Sequence, residues 1–326
     1  MSKVVIVGAG VSGLVANYVF RMYGVNPTVL EPGTPGGEFP FGGLKYIHCT
    51  TEMEDMFDDL NLPWSDYNIS GGILLRGHVK PYPRCFEGMA PEEAARIQAD
   101  HYRKTRRMEP GVFGSKSMND PAAKPTRRAI RCDFSDMISR LAARANIVKE
   151  SMDRIVSRGN HILTTGGKRI KYDQLIVTIP LWAIRGNADF YVPQGMAMAL
   201  NIAQVDPMRD RYSRWDYVYT PYTPGNAIHR FSPSGSGYSV EVNGNWDDQI
   251  RPVLDDLAFI FDGSFVVRTI KKGLKGHLLD LQEKPAWPDN VTPLGRFAQW
   301  DPRATTDTTC ATAHKLARQW WGDQVR

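Results

Sequence analysis

The first thirty-one residues contain the pattern that most constrains the fold of this chain. The apolar run Val4–Val7 is typical of a buried parallel strand, and it leads directly into the glycine-rich sequence GAGVSG at 8–13. A helical spacing of apolar residues follows, and a second apolar run ends at Glu31. Strand, glycine-rich turn, helix, strand and acidic residue, in this order, predict a βαβ unit that binds a dinucleotide.

Each glycine of this turn has a separate expected role. Gly8 permits the tight turn, Gly10 lets the main chain approach a pyrophosphate, and Gly13 allows the helix to pack closely on the strand. Glu31 is expected to accept the hydroxyl groups of a ribose. The unit leaves open whether the dinucleotide is FAD or NAD. The cofactor contacts that it predicts are Gly8, Ala9, Gly10, Val11, Ser12, Gly13, Leu14 and Glu31.

The sequence beyond Glu31 resembles a known group of flavoproteins. Pro32 and the pair Gly36-Gly37 resemble the glycine-pair element of amine-oxidase-like enzymes, and 43–50 (GLKYIHCT) resembles a segment of their UDP-galactopyranose mutase-like branch. The segment 294–300 (LGRFAQW) is similar to the signature before the last FAD-contacting helix of that superfamily. Further similar segments are 75–83, 173–180 and 225–232.

This resemblance implies FAD as the cofactor. It also implies an α/β fold, with a discontinuous Rossmann-type FAD-binding domain at 1–84, 130–185 and 285–326 and a smaller α+β substrate domain at 85–129 and 186–284. Thr306–Thr309 is expected to cap the last helix. A helix capped by Asp133 is expected before Val148, which would meet the adenine. The additional FAD contacts expected are Pro32, Gly36, Gly37, Glu38, Gly43, Val148, Gly295, Arg296, Asp307 and Thr308.

The resemblance also suggests where chemistry takes place. Lys45 and His48 occupy the positions of two histidines in the mutase-like pattern and are the candidate catalytic residues, with solvated loop residues as the alternative. Tyr82 and Arg230 are expected on the substrate side. We expect hydride transfer from a carbon next to an amine to the flavin. Two alternatives stay open: a sugar-nucleotide mutase, and a nucleic-acid-binding protein that FAD only stabilises.

The basic charge of the chain is concentrated in one segment. The net charge is +5, yet 96–131 contains ten Lys and Arg against three Asp and Glu. This basic insert predicts a phosphate-bearing substrate, either a small molecule or DNA, and its boldest form is an amine- or amino-acid-modified DNA base. A solvated surface is the alternative. The candidate phosphate ligands are Arg106, Arg107, Arg127 and Arg128.

Composition limits the remaining function classes. The four cysteines form no CxxC pair and no apolar run is long enough to cross a bilayer, so we expect a cytoplasmic protein with free thiols and no membrane partner. The seven histidines are scattered, and we expect no metal site. The oligomeric state stays open.

Overall fold

The structure is a computed structural model that describes residues 2–37, 47–81, 86–104, 128–180, 183–184, 197–204, 212–234, 237–242, 246–263, 265–274, 286–299 and 304–322. The helices in these ranges are α1 (Val11–Met22), α2 (Thr51–Asp59), α3 (Pro91–Lys104), α4 (Phe134–Ala143), α5 (Trp246–Phe261), α6 (Arg296–Gln299) and α7 (Thr306–Trp321). The strands are β1 (Val4–Val7), β2 (Thr28–Leu30), β3 (Ile47–His48), β4 (Ser65–Asn68), β5 (Gly71–Leu75), β6 (His78–Pro81), β7 (Arg128–Arg131), β8 (Asn146–Val148), β9 (Met152–Val156), β10 (His161–Thr164), β11 (Arg169–Lys171), β12 (Gln174–Val177), β13 (Ala197–Gln204), β14 (Tyr217–Tyr219), β15 (Ile228–Ser234), β16 (Gly237–Val242), β17 (Phe265–Leu274) and β18 (Val291–Pro293).

A five-stranded parallel sheet forms the centre of the first half of the fold. Its strand order is β18-β12-β1-β2-β8, and every neighbouring pair is parallel. All four residues of β1 are buried, as expected for a strand that lies inside a sheet covered on both faces. The predicted βαβ unit is therefore confirmed, with β1 and β2 side by side and α1 as the connection.

Helices cover one face of the parallel sheet. The helix α1 packs against α4 and α7, and Phe20 lies between Trp320 and Trp321 at ring-centroid distances of 5.9 and 5.4 Å. This packing buries the apolar face of α7 against α1. The predicted cap of α4 is also confirmed, because the Asp133 carboxylate accepts hydrogen bonds from the Ser135 and Asp136 N–H groups at 2.8 and 3.2 Å.

A small antiparallel sheet, β11-β10-β9, packs on the other face. Met152 and Ile162 from this sheet are buried together with Val5 and Val7 of β1. Two hairpin turns connect its strands: Gly159 and Asn160 in the first have φ values of +94° and +45°, and Gly167 in the second has a φ of +80°. A second small sheet, β3-β7-β4, is also antiparallel.

The second half of the fold is a seven-stranded sheet, β17-β13-β16-β15-β14-β5-β6. One face of this sheet packs against α5 through a separate apolar core that includes Phe231, Tyr238 and Leu257. The strands β5 and β6 belong to this sheet, although they lie within 1–84, which the sequence assigns to the FAD-binding domain. They join it because β5 pairs in parallel with β14. The division into domains itself stays a prediction.

A buried carboxylate fixes the turn that leads into β15. Asp256 of α5 is wholly buried, and its Oδ1 accepts a hydrogen bond from the Gly225 N–H at 2.6 Å. Its Oδ2 accepts from the N–H groups of Ala227 and Ile228, both at 2.8 Å. A side chain at Gly225 would overlap the main chain of Pro252 in α5. The main chain of the turn therefore packs directly against the main chain of the helix. The Asp256 carboxylate accepts the hydrogen bonds of the N–H groups in the turn.

This arrangement predicts a large loss of stability when the charge of Asp256 is removed. Hydrogen bonds to charged groups contribute about 1.5–3 kcal/mol each, so Asp256→Asn should lower the free energy of unfolding by about 3 kcal/mol in urea titrations. Asp255→Asn is the matched control, because Asp255 is the exposed neighbour on the same helix, and its effect should stay within about 0.5 kcal/mol. Equal effects of the two substitutions would contradict the assigned role of Asp256.

Candidate cofactor site

The glycine-rich turn brings the start of α1 against the end of β1. Gly8 has a φ of +100°, and a Cβ there would lie 2.7 Å from Thr178 Oγ1 and 2.8 Å from Ile179 Cγ2. A Cβ at Gly13 would overlap the carbonyl oxygen of Gly8. Both glycines are therefore required by packing, as their spacing predicts.

Gly10 differs from these two glycines because the space beside it is open. A Cβ at Gly10 would meet no atom within 4 Å, and its backbone is extended, with φ −68° and ψ 177°. Gly10 is the N-cap of α1, no side chain caps this helix end, and its first turn has no acidic residue. The free N–H groups and the positive end of the helix dipole therefore lie beside a space that suits a phosphate.

The predicted contact residues of this turn separate into two groups. Gly10, Val11 and Ser12 are partly exposed, so their main chain can reach a ligand. Ala9 and Leu14 are wholly buried, and their N–H groups bond to Glu31 Oε2 and to the Gly10 carbonyl at 2.9 and 3.0 Å. Ala9 and Leu14 therefore stabilise the turn through these hydrogen bonds.

Thr178 also supports the turn, and its role was not predicted from the sequence. Its hydroxyl oxygen lies 2.8 Å from the carbonyl oxygen of Val7 and 3.1 Å from that of Gly8. Thr178 directly follows β12, which pairs in parallel with β1, so the register of the two strands brings the hydroxyl to these carbonyl groups. The sequence identified 173–180 as a segment of interest, but its pattern did not show that the Thr178 hydroxyl bonds to carbonyl groups at the end of β1.

Glu31 lies at the end of β2, where a ribose is expected. Its Oε2 accepts the Ala9 N–H at 2.9 Å, and its Oε1 accepts the Gly33 N–H at 2.8 Å. Each carboxylate oxygen can accept a further hydrogen bond, so both remain able to bind ribose hydroxyls. The main chain places Val148 alongside, because the Glu31 N–H donates to the Val148 carbonyl at 3.0 Å. Lys149 Nζ donates to the Gly33 carbonyl and holds the loop that begins at Pro32.

The glycine pair lies directly on the glycine-rich turn. Gly36 has a φ of +107°, its N–H donates to the Ala9 carbonyl at 2.8 Å, and it forms a β-bridge with Gly10. A Cβ at Gly37, where φ is +65°, would lie 3.5 Å from the Gly10 Cα. The two glycine segments thus line the same space beside Gly10.

A third segment reaches the same helix end from the C-terminal part of the chain. Gly295 has a φ of +88°, and a Cβ there would lie 2.5 Å from Ser12 Oγ. Arg296 follows and is exposed. Segments more than two hundred residues apart in the sequence therefore meet at the start of α1.

The last helix begins one residue earlier than expected. Its N-cap is Thr305, because the Thr308 hydroxyl accepts the Thr305 N–H at 2.8 Å and donates to the Thr305 carbonyl at 3.0 Å. The hydroxyl of Thr308 is thus used by the cap itself. Asp307 Oδ1 is buried and has no hydrogen-bond partner among the described residues, which makes this oxygen a free acceptor in the first turn of the helix.

His48 is half-buried on β3, opposite Ala129 of β7. The next residue, Cys49, donates its Sγ proton to Glu54 Oε1 at 2.7 Å. Burial and this hydrogen bond raise the pKa of the Cys49 thiol to about 11. The thiol is therefore protonated at neutral pH and is not a nucleophile.

The structure describes two of the predicted substrate-binding residues, and both form ion pairs. Arg128 Nη2 lies 2.7 Å from Asp66 Oδ2, and Arg230 Nη2 lies 2.6 Å from Glu241 Oε1. Their binding roles stay predictions. Seven of the predicted site residues lie outside the described residues: Glu38, Gly43, Lys45, Tyr82, Arg106, Arg107 and Arg127.

The described ranges contain neither a membrane-spanning helix nor a metal-binding group. No helix in them is long and apolar enough to cross a bilayer. No group of three His, Cys, Asp or Glu side chains in them is placed to hold a metal ion.

The sequence matches no protein-family model and no curated protein. The fold, in contrast, is found in solved structures that cover the whole chain. A reduced UDP-galactopyranose mutase superposes with a TM-score of 0.64 at 13% identity, over 100% of this chain and 97% of that one. The chain therefore shares its fold with this mutase.

Two other structures give the same result. A redesigned putrescine oxidase superposes with a TM-score of 0.62 at 12% identity, over 98% of both chains. An oxidoreductase from Methanosarcina mazei has a TM-score of 0.60 at 12% identity, over 96% of this chain and 99% of that one. The predicted α/β fold class and the predicted resemblance are thereby confirmed at the level of the fold.

The environment of Cys49 gives a prediction about its reactivity. With a pKa of about 11, only about one thiol in a thousand is ionised at pH 8, so alkylation in the folded protein should be at least about 100-fold slower than in urea. Peptide-level mass spectrometry after timed iodoacetamide treatment measures this rate. Glu54→Gln removes one cause of the raised pKa and should speed the reaction. Equal rates in folded and unfolded protein would refute the assigned environment.

Proposed function

We propose that this chain is an FAD-dependent oxidoreductase that oxidises a carbon next to an amine nitrogen. The observation that carries the proposal is the open space beside Gly10, bordered by the uncapped N-terminus of α1 and by Gly37. This space suits a pyrophosphate, and Glu31 at the adjacent strand end suits a ribose. Putrescine oxidase and the Methanosarcina mazei oxidoreductase, which share the fold, support the reaction class.

The residues of the chain that would hold FAD occupy distinct positions. The N–H groups of Val11 and Ser12 would bind the pyrophosphate, Glu31 the ribose, and the main chain at Val148 the adenine. The first turn of α7, with Asp307, would contribute its N–H groups at the other end of the cofactor. When bound, FAD accepts a hydride from carbon, which leaves an amine substrate as an imine that water hydrolyses.

Oxidation of an amine also requires a residue that accepts the proton of its ammonium form. The amine must be uncharged before its carbon loses a hydride, so a base near it has to accept one proton from the ammonium form. Lys45 and His48 are our candidates for this role. His48 is half-buried on β3, and Lys45 lies three residues before it in the sequence.

The finer part of the proposal concerns the substrate. The concentration of basic residues in 96–131 supports a phosphate-bearing substrate, and we propose an amine- or amino-acid-modified base of DNA. The insert begins in α3 and ends in β7, so both of its ends are fixed to the fold. Arg128, in β7, is charge-compensated by Asp66, and the other three candidate arginines would therefore supply the phosphate contacts.

Anaerobic mixing of the FAD-loaded protein with candidate substrates tests this function. Bleaching of the flavin absorption near 450 nm by an amine-bearing oligonucleotide, and not by the unmodified one, is the expected result. Turnover of a UDP-sugar only after dithionite reduction would replace the proposal by the mutase alternative. A protein that binds FAD but reacts with neither probe would be a binding protein. A protein that does not bind FAD would refute the proposed function as a whole.

Gly10→Ala separates cofactor binding from folding. The new methyl group has room in the folded protein and an allowed backbone, so the melting temperature without cofactor should change by less than about 2 °C. The methyl group would occupy the space of the pyrophosphate, and the Kd for FAD should rise at least about tenfold.

The matched control is Gly166→Ala. Gly166 lies in a hairpin turn, and a Cβ there would make only an ordinary contact of 3.4 Å with Glu150 Oε2. This variant should bind FAD as the unchanged protein does. Fluorescence quenching of free FAD measures both Kd values, and an unchanged Kd for Gly10→Ala would show that the space beside Gly10 is not the pyrophosphate site.

A further inference from the structure

The antiparallel sheet β11-β10-β9 has an apolar inner face. Ile155, Ile162 and Ile170 are neighbours across its three strands, and Ile162 is wholly buried in the core that also contains Val5 and Val7 of β1. Because side chains alternate along a strand, the residues next to these isoleucines in the chain belong to the outer face. The outer face is therefore carried by a sheet that the core holds firmly against the parallel sheet.

Exposed cations lie along both edges of the outer face. Arg154 of β9 and Arg169 of β11 flank Leu163 of the middle strand, so their Cα atoms are about 10 Å apart. Lys171 follows on the same face of β11, about 7 Å beyond Arg169. Arg158 lies in the turn that joins β9 to β10. All four side chains are exposed, and we call these four residues the basic sheet patch.

The charges of this patch are not neutralised by the described part of the chain. Within the described ranges, no carboxylate lies within 4 Å of the four cationic groups, whereas Lys168 in the next turn is paired with Glu150 at 2.5 Å. Asp153 lies beside Arg154 as the extra residue of a β-bulge, and it is half-buried. Four cations beside one carboxylate leave a positive excess on a fixed surface, which attracts an anionic partner.

The residues between the cations indicate what kind of anion fits. Val156, His161 and Leu163 complete the outer face, and all three are half-buried. The three strands, which are described in full, place no Phe, Tyr or Trp on this face and no exposed large apolar side chain. Unpaired bases are bound by stacking on aromatic rings, and lipid surfaces by insertion of apolar side chains. A surface of cations alone suits the backbone phosphates of a duplex.

We propose that the basic sheet patch binds the phosphate backbone of duplex DNA, independently of its sequence. The choice of DNA among anionic polymers rests on the proposed function, in which the substrate is a modified base of DNA. A base that reacts has to leave the helical stack, and a surface that contacts only backbone phosphates leaves the bases free to do so. The patch would therefore hold the polymer without selecting the base.

Salt titrations of DNA binding test the proposal on the FAD-loaded full chain. Fluorescence anisotropy of a labelled, unmodified duplex gives the affinity between about 50 and 200 mM salt, where four phosphate contacts account for a loss of about 100-fold. The patch variant combines Arg154→Gln, Arg158→Gln, Arg169→Gln and Lys171→Gln. Because each phosphate contact contributes about 0.9 to the slope of log affinity against log salt, the slope of this variant should be less steep by about 3.6.

The matched control makes the same change of net charge at four exposed cations elsewhere: Lys3→Gln, Lys80→Gln, Arg251→Gln and Lys315→Gln. Its slope should stay within about one unit of that of the unchanged protein. A third variant, with Arg154→Lys, Arg158→Lys and Arg169→Lys, keeps the charges and should keep the slope. Thermal unfolding and the flavin absorption verify that each variant folds and holds FAD. An unchanged slope in the patch variant, or an equal change in the control, would overturn the proposal.

Two further probes decide the kind of partner. A single strand of equal length should show a smaller difference between the patch variant and the unchanged protein than the duplex does, because its phosphates are less dense. A larger difference with the single strand would overturn the assignment to duplex DNA. A difference seen with phosphatidylserine-containing vesicles and not with the duplex would assign the patch to a membrane surface and overturn the proposal as well.

These measurements are independent of the flavin reaction. They use oxidised protein and unmodified DNA, so they contain no substrate amine to oxidise. An unchanged slope in the patch variant, together with bleaching of the flavin by an amine-bearing oligonucleotide, would reject the patch and leave the proposed function intact. A slope that depends on the patch, without any bleaching, would reject the proposed function and leave the patch as a DNA-binding surface.

Discussion

The contact between the start of α1 and the turn after β1 is the constraint on which the rest of the cofactor site depends. Gly13 packs so closely on the Gly8 carbonyl that no side chain fits between them. This contact fixes the direction in which α1 leaves the sheet, and therefore where its N–H groups point. Gly36 bridges to Gly10, and Gly295 approaches Ser12, only because the helix end is held there. A shift of the helix would separate all three segments.

The parts of this fold that could be predicted from sequence are those set by local spacing. The strand Val4–Val7, the glycine turn and the cap at Asp133 depend on residues within a few positions of one another, and each is confirmed. The cap of the last helix was misplaced by one residue, because four consecutive polar residues all suit a cap and only the bond from the Thr305 N–H to Thr308 selects one.

The features of the fold that could not be predicted from the sequence depend on pairing between distant segments. Nothing in 71–75 indicates that β5 pairs with β14, 146 residues later in the sequence, and so leaves the first half of the fold. Likewise, Arg230 could be proposed as a substrate residue, but its partner Glu241 follows from the register of β15 on β16. In the candidate site, the glycines and Glu31 were predictable from their motif, whereas Thr178 and Lys149 became visible only through their bonds.

Separate cores on the two sheets have a consequence for how such a protein can diversify. Tyr219, Arg230 and Glu241 lie on strands whose opposite face packs against α5, and Asp256 anchors the turn before β15 through main-chain N–H groups alone. Side chains on the face that points away from α5 can therefore be exchanged without opening the apolar core or moving the anchor. The glycine turn belongs to another sheet with its own core and does not experience these exchanges. The two halves of the fold can therefore accept substitutions independently of each other.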